Sequence, residues 1–410
     1  MSVTVRFARE SIELTLTDAQ LVAVDGEVSV PPIADVSRAV EAAIATPIEF
    51  PPLRQAVVPG DHVALVLDDG MPRPGDVLGP VVECLREAGA EAHDIQVIAV
   101  PAFSESPNSF SADALPPGIK LVQHDPSDNV GLSYLAARKD GTRVYLNRAV
   151  VDADLVVLVG PVDYDPIMRY RGTSSAVYPG LADDAARRAL RARVHKPATR
   201  QAQADARRES DEISWLLGVQ FAVAVVAGRS SDVVAVLAGA CEHVQREAQR
   251  RLEQNWRRRA RRRADLVIAA ISGDTNGQGF DELGRALDGA RGLVAEGGRI
   301  VVLSAINAQP GPSLELFRSF EDPAGVLEHL RKLAADDLIS THQIARACEH
   351  ARVCLLSRLD DGLVEELGMT PIGSAAELQR LVDRAACCTI LNDAQFVHAT
   401  LEGEDEYSPQ

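Results

Sequence analysis

Short apolar runs alternate with amphipathic stretches along nearly the whole chain. In the first half, runs at residues 62–69, 94–100, 120–125, 154–160 and 221–228 read as strands, and in the second half those at 265–272, 299–306, 351–357 and 387–393 do. Runs so short and so continuously apolar suit strands covered on both faces, as in parallel sheets. Between the first two runs, Val77, Leu78, Val81, Val82 and Leu85 recur at helical spacing, and Gly89 supplies the stop. This strand–helix rhythm predicts an α/β fold of two doubly wound, Rossmann-like domains with an interdomain cleft.

At 410 residues the chain exceeds one ordinary core, so the pattern is divided. Residues 1–240 form the expected N-terminal α/β domain, and 241–263 an arginine-rich linker helix whose packing stripe holds Leu252 and Trp256, one turn apart. Residues 264–402 form the second α/β domain and 403–410 an acidic tail. There is no internal repeat.

Composition narrows the function classes. An apolar share of 46% with 25% charged residues is that of a globular protein in water. No stretch approaches about 20 apolar residues, and the opening MSVTVRFARESIELTL lacks the apolar core of a secretory signal, so no membrane partner and a cytoplasmic address are expected. The six cysteines, at positions 84, 241, 348, 354, 387 and 388, show no C-x-x-C pair and read as buried thiols. A net charge of −17 argues against a nucleic-acid partner. The arginines of 246–265 are the local exception, but Lys120, Lys139, Lys196 and Lys332 are the only lysines among 42 basic residues, which makes arginine a habit of the whole sequence. Oligomeric state is left open.

In open α/β sheets, ligands lie outside the carboxyl ends of the strands, so the loops that follow strands carry the candidate chemistry. DDGMPRPGD (68–76) brings two carboxylates and Arg73 to a strand end, although Asp-Gly and Pro pairs also make turns unaided. VPAFSESPNSF (100–110) offers hydroxyls and Glu105 and reads as a plain loop. RYRGTSSAVYPG (169–180), preceded by PVDYDPIM, places Asp163, Asp165, Arg169 and Arg171 before a helix start, where backbone N–H groups and guanidiniums favour an anion. The glycines of SGDTNGQGF (272–280) do not have dinucleotide-binding spacing.

Several of these segments together resemble the nickel-pincer-nucleotide-dependent lactate racemases. PIEFPPLRQAVVPGDHVALVLDD (47–69) is similar to the entry into that family's first central strand, and the stretch 122–163, with its His-Asp pair at 124–125, to the approach to its cofactor loop. YRGTSSAVYPGLAD matches a loop that ends in Pro-Gly, and ADLVIAAISGD with GARGLVAEGGRIVVLSA resembles the start of the second domain.

The resemblance implies a nickel-pincer nucleotide, tethered by a lysine and coordinated through a histidine, with two further histidines exchanging a proton with a 2-hydroxy acid. Carried over by position, the lysine falls on Ser175, the nickel ligand on Arg191 with His195 the nearest imidazole, and the acid–base histidines on Phe103 and Asp165. Serine has no amine for the linkage, and a protonated guanidinium has no lone pair for a metal. Asp69 and Arg73 fall near the family's phosphate-side pair, with Pro72 at the strict arginine position, and Arg285 stands where a lysine is usual. Arg169, Arg171, Ser174 and Ser175 are the remaining cofactor-side candidates, Arg191 and Arg285 the substrate-side ones, His195 the metal candidate and Asp165 the candidate base.

Two functions remain open at this level. One is a racemase or epimerase of hydroxy acids with altered or non-covalent cofactor use. The other is an inactive homologue that binds an anionic small molecule, a hydroxy acid or a nucleotide-like compound.

Overall fold

The structure is a computed structural model that describes residues 1–18, 20–25, 30–68, 70–101, 115–229, 232–273, 278–320, 323–330, 333 and 335–402. The chain divides into two compact units: Met1–Ser29 with Trp256–Gln410, and Val30–Phe103 with Asn108–Asn255. Asp69, Phe103, Glu105 and the tail 403–410 lie outside the described residues.

The first 29 residues depart from the expected domain 1–240. Strands β1 (Ser2–Phe7) and β2 (Glu10–Thr15) pair antiparallel, and their strict alternation turns Val5, Phe7 and Leu14 to one buried face. That face joins Leu266, Ile268, Val301 and Ile390, so the hairpin belongs to the C-terminal core. Strand β3 (Leu21–Asp25) follows and adds to the edge of the same unit's sheet.

The 30–255 unit starts with helix α1 (Val36–Ala45), capped by Asp35, whose carboxylate accepts the N–H of Arg38. Strands β4 (Val63–Leu67), β5 (Ile95–Ala99) and β6 (Lys120–Gln123) follow, with helix α2 (Pro74–Glu87) between the first two. A hairpin of β7 (Leu132–Ala137) and β8 (Arg143–Asn147), and the turn α3 (Arg148–Val151), lead to β9 (Leu155–Asp165) and β10 (Arg169–Arg171). Then come the single turn α4 (Thr173–Ser175), helices α5 (Asp184–Arg191) and α6 (Arg200–Leu216), and strands β11 (Phe221–Ala227) and β12 (Val233–Ala240).

The main sheet runs in the order β12-β11-β9-β4-β5-β6, parallel except for β12. The five residues of β4 are all buried, as its unbroken apolar run requires. The five helix positions Val77, Leu78, Val81, Val82 and Leu85 pack onto this sheet at 0% exposure. Chain order reverses at β4, whose neighbours are β5 on one side and β9 on the other. The crevice at such a reversal is where a doubly wound sheet receives its ligand.

Helix α7 (Cys241–Trp256) ends earlier than the predicted linker helix 241–263. Val244, Ala248, Leu252 and Trp256 recur every fourth residue and are all buried, but the arginines beyond offer no continuation of that stripe. Residues 257–260 instead form strand β13 (Arg257–Ala260), with Ala260 buried. Strands β14 (Ala264–Ala270), β15 (Val294–Leu303), β16 (Arg352–Leu356), β17 (Thr370–Pro371) and β18 (Cys388–Leu391) build a parallel sheet of order β17-β16-β15-β14-β18-β3, and β19 (His398–Leu401) pairs with β13. Helix α8 (Phe280–Leu293) follows β14.

All six cysteines are free thiols, and only Cys354 and Cys388 are fully buried. Burial pushes the thiols of Cys241, Cys348 and Cys388 up to about 12, which keeps them protonated and unreactive. No described helix is long and apolar enough to cross a membrane.

Gly239 tests the packing of the sheet edge. It has φ +140°, and an added Cβ would collide with the backbone of Ile48, whose N–H and C=O bond to residues 238 and 240. Gly239→Ala should cost about 1–3 kcal/mol in urea unfolding, from strain and overpacking. A loss below about 0.5 kcal/mol would contradict this packing.

Candidate functional site

The chemistry gathers where β4 ends beside β9. Asp68 directly follows β4, is 4% exposed, and donates its N–H to the carbonyl of Val159 at 3.0 Å. Its Oδ1 lies 3.6 Å from Nη2 of Arg171. Gly160 makes the approach feasible, because a Cβ there would stand 2.8 Å from that of Asp68.

Arg171 reaches this position through a hairpin. β9 runs past its ladder with β4, which ends at Leu67 and Val159, and folds back as β10 with Asp165 opposite Arg169 and Asp163 opposite Arg171. Asp165 Oδ1 accepts the N–H groups of Ile167 at 2.8 Å and Met168 at 2.6 Å, so the candidate base also ties the turn. Arg169 sits at φ +63° and places its guanidinium 5.5 Å from the ring centre of Tyr170. The opposing charges of the sequence motif are therefore brought together.

Tyr170 anchors the hairpin. It is buried, its hydroxyl donates to Glu253, and Arg207 lies 5.1 Å from the ring centre while donating to the backbone carbonyls of Tyr170 and Met168. Burial, then the Glu253 carboxylate, raises the pKa of the phenol. Arg207 has its own pKa lowered, by burial first.

The Gly-Thr-Ser-Ser turn closes on itself. Ser175 is 7% exposed, and its Oγ donates to the carbonyl of Gly172 at 2.6 Å and accepts that residue's N–H at 3.2 Å. Gln245 occupies the space that a Cβ on Gly172 would need. Ser174 is held on the α6 side, its carbonyl accepting from Ser214 Oγ at 3.3 Å.

The exit from the loop is clamped by buried polar groups. Glu209 meets Arg193 at 2.5 Å and Arg138 at 2.7 Å, and burial together with this nearby carboxylate pushes the Tyr178 phenol up to about 12. Arg187, 3% exposed, donates to the carbonyls of Gly180 at 2.9 Å and Pro101 at 3.3 Å. His124 is buried with Nε2 3.0 Å from the carbonyl of Ala182 and Nδ1 3.1 Å from the amide nitrogen of Asn147. Burial lowers its pKa, and a donating Nε2–H with an accepting Nδ1 defines a neutral ring.

Other predicted residues fall elsewhere. Arg73 is a left-handed residue ahead of α2, with Nε 2.6 Å from Asp76 in a half-exposed pair, so its charge is engaged within its own turn. Arg191 ends α5 and is 3% exposed, while His195 closes the short turn after it, half-buried. Arg285 belongs to α8 of the other unit, beside Glu282. Among the described residues no three His, Cys, Asp or Glu side chains gather as a metal site. Sequence reasoning missed Asp211, Arg207, Arg187 and Glu209, because charged residues within a helical period carry no sign of which face inward.

The implied cofactor fits these residues poorly. The position of the tether holds a buried hydroxyl already bonded within its turn, the position of the nickel ligand holds a buried arginine, and the described lysines, Lys120, Lys139 and Lys196, are all exposed.

The fold and the switch-point site define a two-unit, doubly wound α/β protein. Residues 7–201 match the family model described as the lactate racemase N-terminal domain, so this part of the chain is similar to that domain. The chain's fold is similar to the lactate racemase apoprotein from Thermoanaerobacterium thermosaccharolyticum, with TM-score 0.83 and 16% identity over 97% of this chain and 100% of that one. It is also similar to a Thermotoga maritima protein, with TM-score 0.64 and 13% identity over 90% and 99%. No curated protein matches.

The neutral His124 predicts a pH signature. Below its ordinary 6.5 the unfolded chain takes up a proton that the folded chain resists, so this contribution is full above 6.5 and is lost as pH falls toward the lowered folded value. His124→Gln should be less stable by about 1–3 kcal/mol at pH 7.5, with the gap narrowing at pH 5.5. A gap unchanged between the two pH values would show that the ring is not held neutral.

Proposed function

We propose that this chain is a lactate-racemase-family protein that binds a small anion, a 2-hydroxy acid or a nucleotide-like compound, at the carboxyl ends of β4 and β9. Arg171 is the recognition group and Arg169 supports it. The single observation that carries the reading is the placement of Arg171 beside Asp68 at the sheet's reversal point, on a hairpin fixed by Asp165 and Tyr170. A guanidinium held by a carboxylate is pre-organised, so less ordering entropy opposes binding.

A second reading retains catalysis as a hydroxy-acid racemase or epimerase with a non-covalently held cofactor. It is favoured by the half-buried position of Asp165 beside Arg169. Its Oδ1 holds the turn amides, so proton transfer would fall to Oδ2.

Thermal unfolding with lactate enantiomers and nucleotides checks the binding reading. A ligand present at 100 times its Kd should add about 2.7 kcal/mol. In Arg171→Ala, measured against its own unliganded midpoint, this gain should vanish; a gain that persists would remove Arg171 from the site. Co-production with pincer-biosynthesis enzymes, followed by intact mass and nickel analysis, should give the unmodified mass without stoichiometric nickel. A cofactor-sized adduct would contradict the closed Ser175 turn.

A further inference from the structure

We infer that the hydroxyl of Thr173 is a specificity-determining group of the site at Arg171, meeting an alcohol that the ligand carries beside its anion; this rests on the anion reading above. Thr173 is 1% exposed, and its Oγ1 has no hydrogen-bond partner among the described residues. A buried hydroxyl in that state costs the fold stability, and native structures rarely keep one without a use. Thr173 opens the turn α4, so no helical carbonyl lies a turn behind it for the back-bond that threonines make inside helices. Ser175, two residues on, engages its own hydroxyl with Gly172.

The backbone sets the direction of the hydroxyl. Gly172 is fully extended, with φ −172° and ψ −155°, so its two neighbours, Arg171 and Thr173, turn their side chains to the same side of the chain. Their Cα atoms are about 7 Å apart, two residues of extended rise. Gln245 fills the opposite side, where a Cβ on Gly172 would point. Arg171 shows which side is shared, because its Nη2 lies 3.6 Å from Oδ1 of Asp68 at the end of β4. The Arg171 side chain is 16% exposed against 1% for Thr173, so a ligand that keeps its charge at Arg171 directs its uncharged part inward.

The chemistry of the two groups differs and is complementary. A carboxylate only accepts hydrogen bonds, and the guanidinium supplies them. A hydroxyl whose donor and acceptor roles are both open is matched best by another hydroxyl, which fills both. Arg171 and Thr173 together therefore select an acid with an alcohol beside it over the same acid without one. Such selection is strong because the wrong ligand leaves a buried polar group unpaired.

Calorimetric titration with the two lactate enantiomers and with propionate, which has the same carboxylate and no alcohol, tests this assignment. The unmodified protein should bind the better lactate enantiomer at least about tenfold more tightly than propionate. Thr173→Val, which keeps the shape of the side chain without its hydroxyl, should bring lactate down to the affinity of propionate and leave propionate unchanged. Thr173→Ser should retain the preference, and Arg171→Ala should weaken both acids. The thermal midpoint of unliganded Thr173→Val should equal or exceed that of the unmodified protein, because no bond within the fold is lost. A lower midpoint, or a variant that does not fold, would overturn the assignment. So would equal affinity for the two acids in the unmodified protein, or a preference that survives in Thr173→Val; binding that still depends on Arg171 then leaves the anion reading standing. No binding of either acid, or binding indifferent to Arg171→Ala, would overturn the hydroxy-acid form of that reading together with the role of Thr173.

Discussion

The approach of Arg171 to the buried Asp68 is the contact on which the rest of the candidate site depends. A carboxylate at the end of a central strand is costly to bury without a cation nearby. The cation arrives only because β9 overruns its ladder with β4 and turns back, which in turn requires Asp165 to hold the turn amides and Tyr170 to pack beneath Arg207. Gly160 admits the contact by having no Cβ to meet Asp68. One ion contact thus links strand register, hairpin and site.

The same geometry closes the 172–175 turn on itself. The loop keeps its place after the central strand and its buried exit, clamped by Arg187, Tyr178 and His124. Within it, the hydroxyl of Ser175 bonds to Gly172 and closes the turn inward.

Much of the fold was legible because β4, β9 and β14 are continuous apolar runs, and because the face of α2 repeats at helical spacing. The N-terminal hairpin was legible in principle from the alternation of Val3, Val5 and Phe7, but the unit it joins depends on long-range pairing that no local pattern reveals. The arginine stretch misled for a physical reason: absence of helix breakers is not presence of a buried stripe, and the stripe ends at Trp256. Within the site, Arg169, Arg171, Ser174, Ser175 and Asp165 were read from their place after a strand. Asp211 and Glu209 were not, because their partners come from other elements, while Arg73, read as a cofactor-side candidate, pairs with Asp76 three residues on.

The central claim is that Arg171 receives the anion. Nitrogen-15 spectroscopy of the arginine side chains during titration with a 2-hydroxy acid tests it most directly. The account predicts that the Arg171 Nε–H resonance moves saturably while that of the exposed Arg261 does not. Saturable binding that leaves Arg171 unmoved would contradict it.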